Sequence, residues 1–126
     1  MNLTGQAVYA RSQKRKRGRK ANDSHLAPLI ARARAKGTER EYLDWLKAQR
    51  SALSGHFSWD GGTPSCDPAH WRTAKHAGTG QKPEWLAIPL THAEHILQHR
   101  QGQSVIGTRD WWETECVLHL ERWVAR

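Results

Sequence analysis

"IPLTHAEHILQHRQG", Ile88 to Gly102, changes character in its middle. Its first three residues finish the short apolar run "EWLAIPL". Thr91 then supplies a capping hydroxyl, Glu94 stands where the second half of a capping box belongs, and Gly102 marks a stop. The spacing predicts a helix whose histidines, His92, His95 and His99, lie three and four residues apart and share one side. Such a face either binds a metal or faces water. His95 and His99 have the i, i+4 spacing of a chelating pair for zinc or another borderline cation. His92 starts the helix, where it caps or meets solvent.

The flanking segments supply the core. "TRDWWETECVLHLERWVAR" is a long amphipathic helix with Trp112, Cys116, His119 or Leu120, and Trp123 near one stripe. "TEREYLDWLKAQRSALSG" is a helix capped by Thr38, with Glu39 and Glu41 in its first turn and Gly55 as its stop. "DSHLAPLIARARAKG" is a short basic helix capped at Asp23 or Ser24 and ended by Gly37. From His56 to Gly80 the texture is that of loops and short strands, with "HFSW" and "PAHWR" as extended candidates. All seven tryptophans follow residue 40, and the plain expectation is that they are core.

The net charge of +8 is unevenly spread. Residues 1–38 hold ten Lys or Arg against one acid, giving +9, and the remainder is −1. The run "KRKRGRK" places Lys14, Arg15, Lys16, Arg17, Arg19 and Lys20 together. A polycation of this kind releases counterions from a phosphate backbone, giving salt-sensitive binding to nucleic acid without sequence choice. A solubilising tail is the bland alternative. Residues 1–22 have too little apolar mass to offset ordering entropy, so the arm is expected to be disordered when free. At 126 residues the chain accommodates one core. It has no apolar run long enough for a membrane-spanning helix and no secretory leader, so a cytoplasmic location is expected. Cys66 and Cys116 are too few for a disulfide framework.

His70, in "CDPAHWR", completes a possible site. Hydrolysis of a phosphodiester needs a base to activate water and a cation to stabilise charge on phosphorus and the leaving oxygen. One histidine and one metal pair meet those needs.

From Glu41 to about Trp123 the chain resembles the His-Me finger (HNH, ββα-metal) nucleases, in particular the phage and prophage branch of Ref-type RecA-dependent nucleases. The resemblance is carried by "YLDWLKAQ", "CDPAHWR", "GTGQKPEW", "IPLTHAEHILQHRQG" and "WWETE". It implies a small ββα-metal (HNH) core, assigned to residues 38–126; with flanking helices, the short basic helix over 23–37 among them, and the disordered basic N-terminal arm of residues 1–22 read above, the expected fold is α+β. It implies His70 as general base and His95 and His99 as ligands of one divalent ion, Mg, Mn or Zn. Arg72 joins the arm as a DNA-contacting residue, and Lys82, in the "GTGQKP" segment, either contacts phosphate or only fixes the loop. The implied activity is endonucleolytic hydrolysis of DNA in a bacterial host cell, with a RecA-type recombinase filament as a possible partner and no membrane.

The departures are equally specific. Many relatives hold a structural zinc with C-x2-C and C-x2-C/H ligands, and the matching positions here are Ser51, Ser54, Thr91 and Glu94. A hydroxyl in place of a thiolate removes most zinc affinity, so packing and hydrogen bonds are expected instead of zinc. Leu86 stands near the place of the middle Asn of the HNH name. Asp67 lies three residues before His70, rather than directly before it, and is not expected to reach the metal; Cys66 stays open as a participant. The competing reading is a non-catalytic DNA-binding or recombination accessory protein on a degenerate HNH scaffold. A basic helical protein with a surface histidine cluster is the blandest.

Overall fold

The structure, a computed structural model, describes residues 25–72 and 83–126. Its elements are α1 (Ala27–Lys36), α2 (Glu39–Leu46), β1 (Asp67–His70), β2 (Ala87–Leu90), α3 (His92–Gln101) and α4 (Arg109–Val124). The arm residues Lys14, Arg15, Lys16, Arg17, Arg19 and Lys20, and Lys82 of the central loop, lie outside the described residues. The architecture is mixed helix and small sheet, as expected of an α+β chain.

β1 and β2 pair antiparallel, with Asp67 opposite Leu90 and His70 opposite Ala87. All four β2 residues are buried, which accounts for the unbroken apolar run that precedes Thr91. The chain then turns directly into α3. Thr91 accepts from the Glu94 amide while the Glu94 carboxylate accepts from the Thr91 amide, the full capping box. Gly102, at φ 92°, closes the helix where a side chain would be strained.

Two contiguous clusters fill the interior. In one, Ala69, Ile88 and Leu90 of the sheet pack with Leu26, Trp71, Leu86, Trp112 and Cys116. In the other, Tyr42, Leu46 and Trp85 pack with Ala33, Leu120 and Trp123. Its aromatic rings interlock: Tyr42 stacks on Trp85 and meets Trp123 edge-on, each at 5.4 Å between centroids. The indole N–H of Trp123 donates to the Ala33 carbonyl at 3.0 Å, locking α1 onto α4. Gly37 is required there, since a Cβ would come within 2.9 Å of the Trp123 ring. α1 thus belongs to the same core as the rest.

Four expectations change. The α2 helix ends at Leu46, not near Gly55, because the following backbone is recruited elsewhere. The Cys66 amide donates to the Lys47 carbonyl and the Ala52 amide to Pro89, binding this segment to the sheet. α1 starts at Ala27 with Pro28 in its first turn, and no side chain caps it. Trp59 is not core: it is 66% exposed. Of the extended candidates, "PAHWR" contributes to β1, whereas "HFSW" makes only the isolated bridge Ser58 to Ser65.

Candidate metal and phosphodiester site

α3 lies along β1 so that the two elements exchange side-chain bonds at both ends. At the start of β1, Asp67 Oδ2 accepts from His92 Nδ1 at 2.9 Å and from His95 Nδ1 at 3.0 Å. At its end, the Gln98 amide donates to the His70 carbonyl at 3.0 Å. The sheet register explains the first contact. Asp67 opposite Leu90 stands beside the chain just before it enters α3, and one helical turn carries His92 and His95 past the carboxylate. Asp67, not expected to reach the metal, thus meets the Nδ1 edges of two histidines instead, and His92, expected to cap or meet solvent, is also tied to β1. The hairpin register was the signal that could have found both.

An ionised carboxylate only accepts hydrogen bonds, so both Nδ1 atoms carry protons. Burial pulls the Asp67 carboxyl upward, but the bonds from His92 and His95 outweigh it and hold it below its usual range. With its proton on Nδ1, a neutral His95 presents a lone pair at Nε2. That nitrogen lies 3.1 Å from His99 Nε2. Two nitrogens bound to one tetrahedral zinc at about 2.0–2.1 Å stand roughly 3.3 Å apart, so the pair has the bite of a chelate. Without a cation, His99 satisfies the contact by donating its Nε2 proton to His95.

The residues present fit a divalent ion held by two imidazoles, with open positions for water or phosphate. Among the described residues, no group of three or more His, Cys, Asp or Glu side chains is arranged to hold a metal. Cys66 is buried, its thiol donates to the His56 carbonyl at 3.5 Å, and burial together with Glu94 and Asp67 pushes it up to about 11. That disfavours the thiolate a metal requires.

His70 is half-buried at the end of β1. The next two residues are held from the far side. The Trp71 ring is core, and the Gln103 side chain clamps the Arg72 backbone, accepting from its amide at 3.1 Å and donating to its carbonyl at 2.7 Å. Gln103 is itself fixed, since its carbonyl accepts from the Trp112 indole at 2.9 Å. Arg72 is exposed.

The four positions matched to structural-zinc ligands meet in space on the other side of α3. Ser51 Oγ donates to Glu94 Oε1 at 2.7 Å, and the Thr91 amide donates to the same oxygen at 2.8 Å. Ser51 Oγ in turn accepts from the amides of Leu53 and Ser54, at 3.0 and 3.1 Å. Burial raises the Glu94 carboxyl, but bonds from Ser51, Ser54 and Thr91 prevail and hold it below its usual range. Two serines, a threonine and one carboxylate do not fit a structural zinc, and they satisfy one another instead.

No helix among the described residues is long and apolar enough to cross a membrane. Comparisons with protein families, with curated proteins and with solved structures find no match for this chain.

Proposed function

We propose that the protein is a metal-dependent DNA endonuclease of the HNH (ββα-metal) type, with His70 as general base and His95 and His99 as the ligands of one divalent ion. The observation that carries the reading is the Nε2 pair of His95 and His99, 3.1 Å apart on a helix that lies along the strand ending in His70. A second observation supports it. Ser51, Ser54, Thr91 and Glu94 match zinc-ligand positions in sequence, and a cluster of residues 43 apart in the chain is what such a match requires.

In this reading His70 takes a proton from water, and the resulting hydroxide attacks phosphorus in line. His95 and His99 hold the ion, which when bound stabilises negative charge on the phosphate and the leaving oxygen. Arg72, on its clamped backbone, faces solvent beside the strand end and contacts a neighbouring phosphate, while Lys82 and the "KRKRGRK" arm add non-specific affinity. DNA is the proposed substrate, a bacterial cytoplasm shared with phage the proposed setting, and a RecA-type filament a proposed partner.

Incubating supercoiled plasmid with Mg²⁺, Mn²⁺ or Zn²⁺, and with chelator, tests the proposal. Nicked or linear product in at least one metal and none in chelator is expected. DNA binding without cleavage in every metal would instead favour the non-catalytic accessory protein. Removing residues 1–22 weakens DNA binding at low salt and flattens its salt dependence by about 0.9 in log–log slope for each phosphate the arm no longer neutralises.

A further inference from the structure

Asp67 does not share the cation position. Its Oδ2 meets the Nδ1 edge of His95, whereas the facing nitrogens of His95 and His99 are both Nε2. One imidazole cannot turn both edges toward the same ion. Resting on the nuclease reading of this histidine pair, we infer that Asp67 is a positioning residue that fixes the His95 proton on Nδ1 and so presets the His95 and His99 Nε2 atoms as a ligand pair for a divalent cation.

Three features of the structure carry this. First, Asp67 belongs to β1, whose register against β2 places it independently of α3, so the carboxylate is a fixed reference for the helix. Second, the same oxygen also accepts from His92 Nδ1, which holds the carboxylate from a second side. The Ser58 hydroxyl accepts from the His92 amide at 2.8 Å, so this second partner is tied to a separate stretch of chain. Third, the 3.1 Å Nε2 contact has room for a proton or a bound cation, but a proton on His95 Nε2 would block the lone pair a metal needs. An unrestrained imidazole populates both tautomers. A carboxylate behind a metal-ligating histidine removes the wrong one and raises the basicity of the ligand nitrogen, and its loss typically costs 10–100-fold in metal affinity.

The test uses the full chain and needs no DNA. Long-range ¹H–¹⁵N spectra of the metal-free protein at neutral pH report which His95 nitrogen carries the proton. Competition with a chromophoric chelator reports the affinity for Zn²⁺ and for Mn²⁺ alone. Wild type is expected to show His95 protonated at Nδ1. Asp67→Ala is expected to move the His95 proton largely to Nε2 and to weaken metal binding 10–100-fold. Asp67→Asn, nearly isosteric and retaining an acceptor oxygen, is expected to fall between, which keeps the test valid should the alanine variant fail to fold. A His95 tautomer unchanged in both variants, or metal affinity within twofold of wild type, overturns the role of Asp67. A wild-type protein that binds neither metal overturns the nuclease reading of the histidine pair instead, and the tautomer measurement tells the two failures apart.

Discussion

Glu94 and His95 are neighbours on one helix, yet they serve opposite kinds of site. Glu94 turns into a closed corner where Ser51, Ser54 and Thr91 supply its hydrogen bonds, and Ser51 is only 5% exposed. His95 turns to the other side, where Asp67 accepts the hydrogen bond from its Nδ1–H and leaves Nε2 facing His99. The first corner spends its polar groups on one another. The second keeps a pair of donor nitrogens in ligand spacing at a half-exposed surface. The two corners, a single residue apart, differ in kind: oxygen groups bonded to one carboxylate in the first, and a facing pair of imidazole nitrogens in the second.

Converting the closed corner into a metal site would break the contrast most forcefully. The combined change Ser51→Cys, Ser54→Cys, Thr91→Cys and Glu94→Cys is expected to bind one Zn²⁺ per chain. Structural zinc sites in small domains contribute apparent binding energies of about 10–16 kcal/mol, so its unfolding should become strongly sensitive to chelator, as wild-type unfolding should not at this corner. Metal titration with thermal melts in chelator checks it. Zinc uptake with no stability gain would mean the four positions do not surround a common point.

A smaller change sharpens the same contrast. Ser51→Ala removes the Glu94 donor and leaves the Leu53 and Ser54 amides without their acceptor, which should cost about 1–3 kcal/mol of stability. Chemical denaturation measures it, and cleavage by the folded variant should stay near wild type. A large loss of activity at full stability would show that the corner serves the reaction rather than the fold.

Acid titration gives the smallest effect. Asp67 and Glu94 are both held below their ordinary values, so the stability they contribute is complete above the unfolded carboxylate pKa values of about 4 and is lost as pH falls through the lower folded values. Denaturation midpoints followed below pH 5 should fall less steeply in Glu94→Gln, which has no charge to lose, than in wild type. Parallel curves for the two proteins would remove Glu94 from the account.

How much of this was legible beforehand depended on whether the signal was local. Thr91, Glu94 and Gly102 wrote the limits of α3 into adjacent residues, and the stripe through Trp112, Cys116 and Trp123 did the same for α4. The end of α2 could not be read that way, since the Ala52 and Cys66 amides are taken by partners remote in sequence. The bonds that Asp67 makes are not legible locally either, since its partners lie across the hairpin on α3. Trp59 carries no local mark that distinguishes an exposed indole from a buried one. The four matched positions of the closed corner were nameable from sequence, but that they bond to one another is a property of the fold.

The central proposal is that His70, at the end of the strand along which the His95 and His99 helix lies, activates water for phosphodiester hydrolysis. Single-turnover cleavage of a labelled duplex in the most effective metal, by wild type and His70→Ala at matched DNA occupancy, tests it most directly. Loss of a general base is expected to slow cleavage by about 10²–10⁴-fold while DNA affinity holds within a few-fold. A His70→Ala protein that cleaves at the wild-type rate contradicts the account.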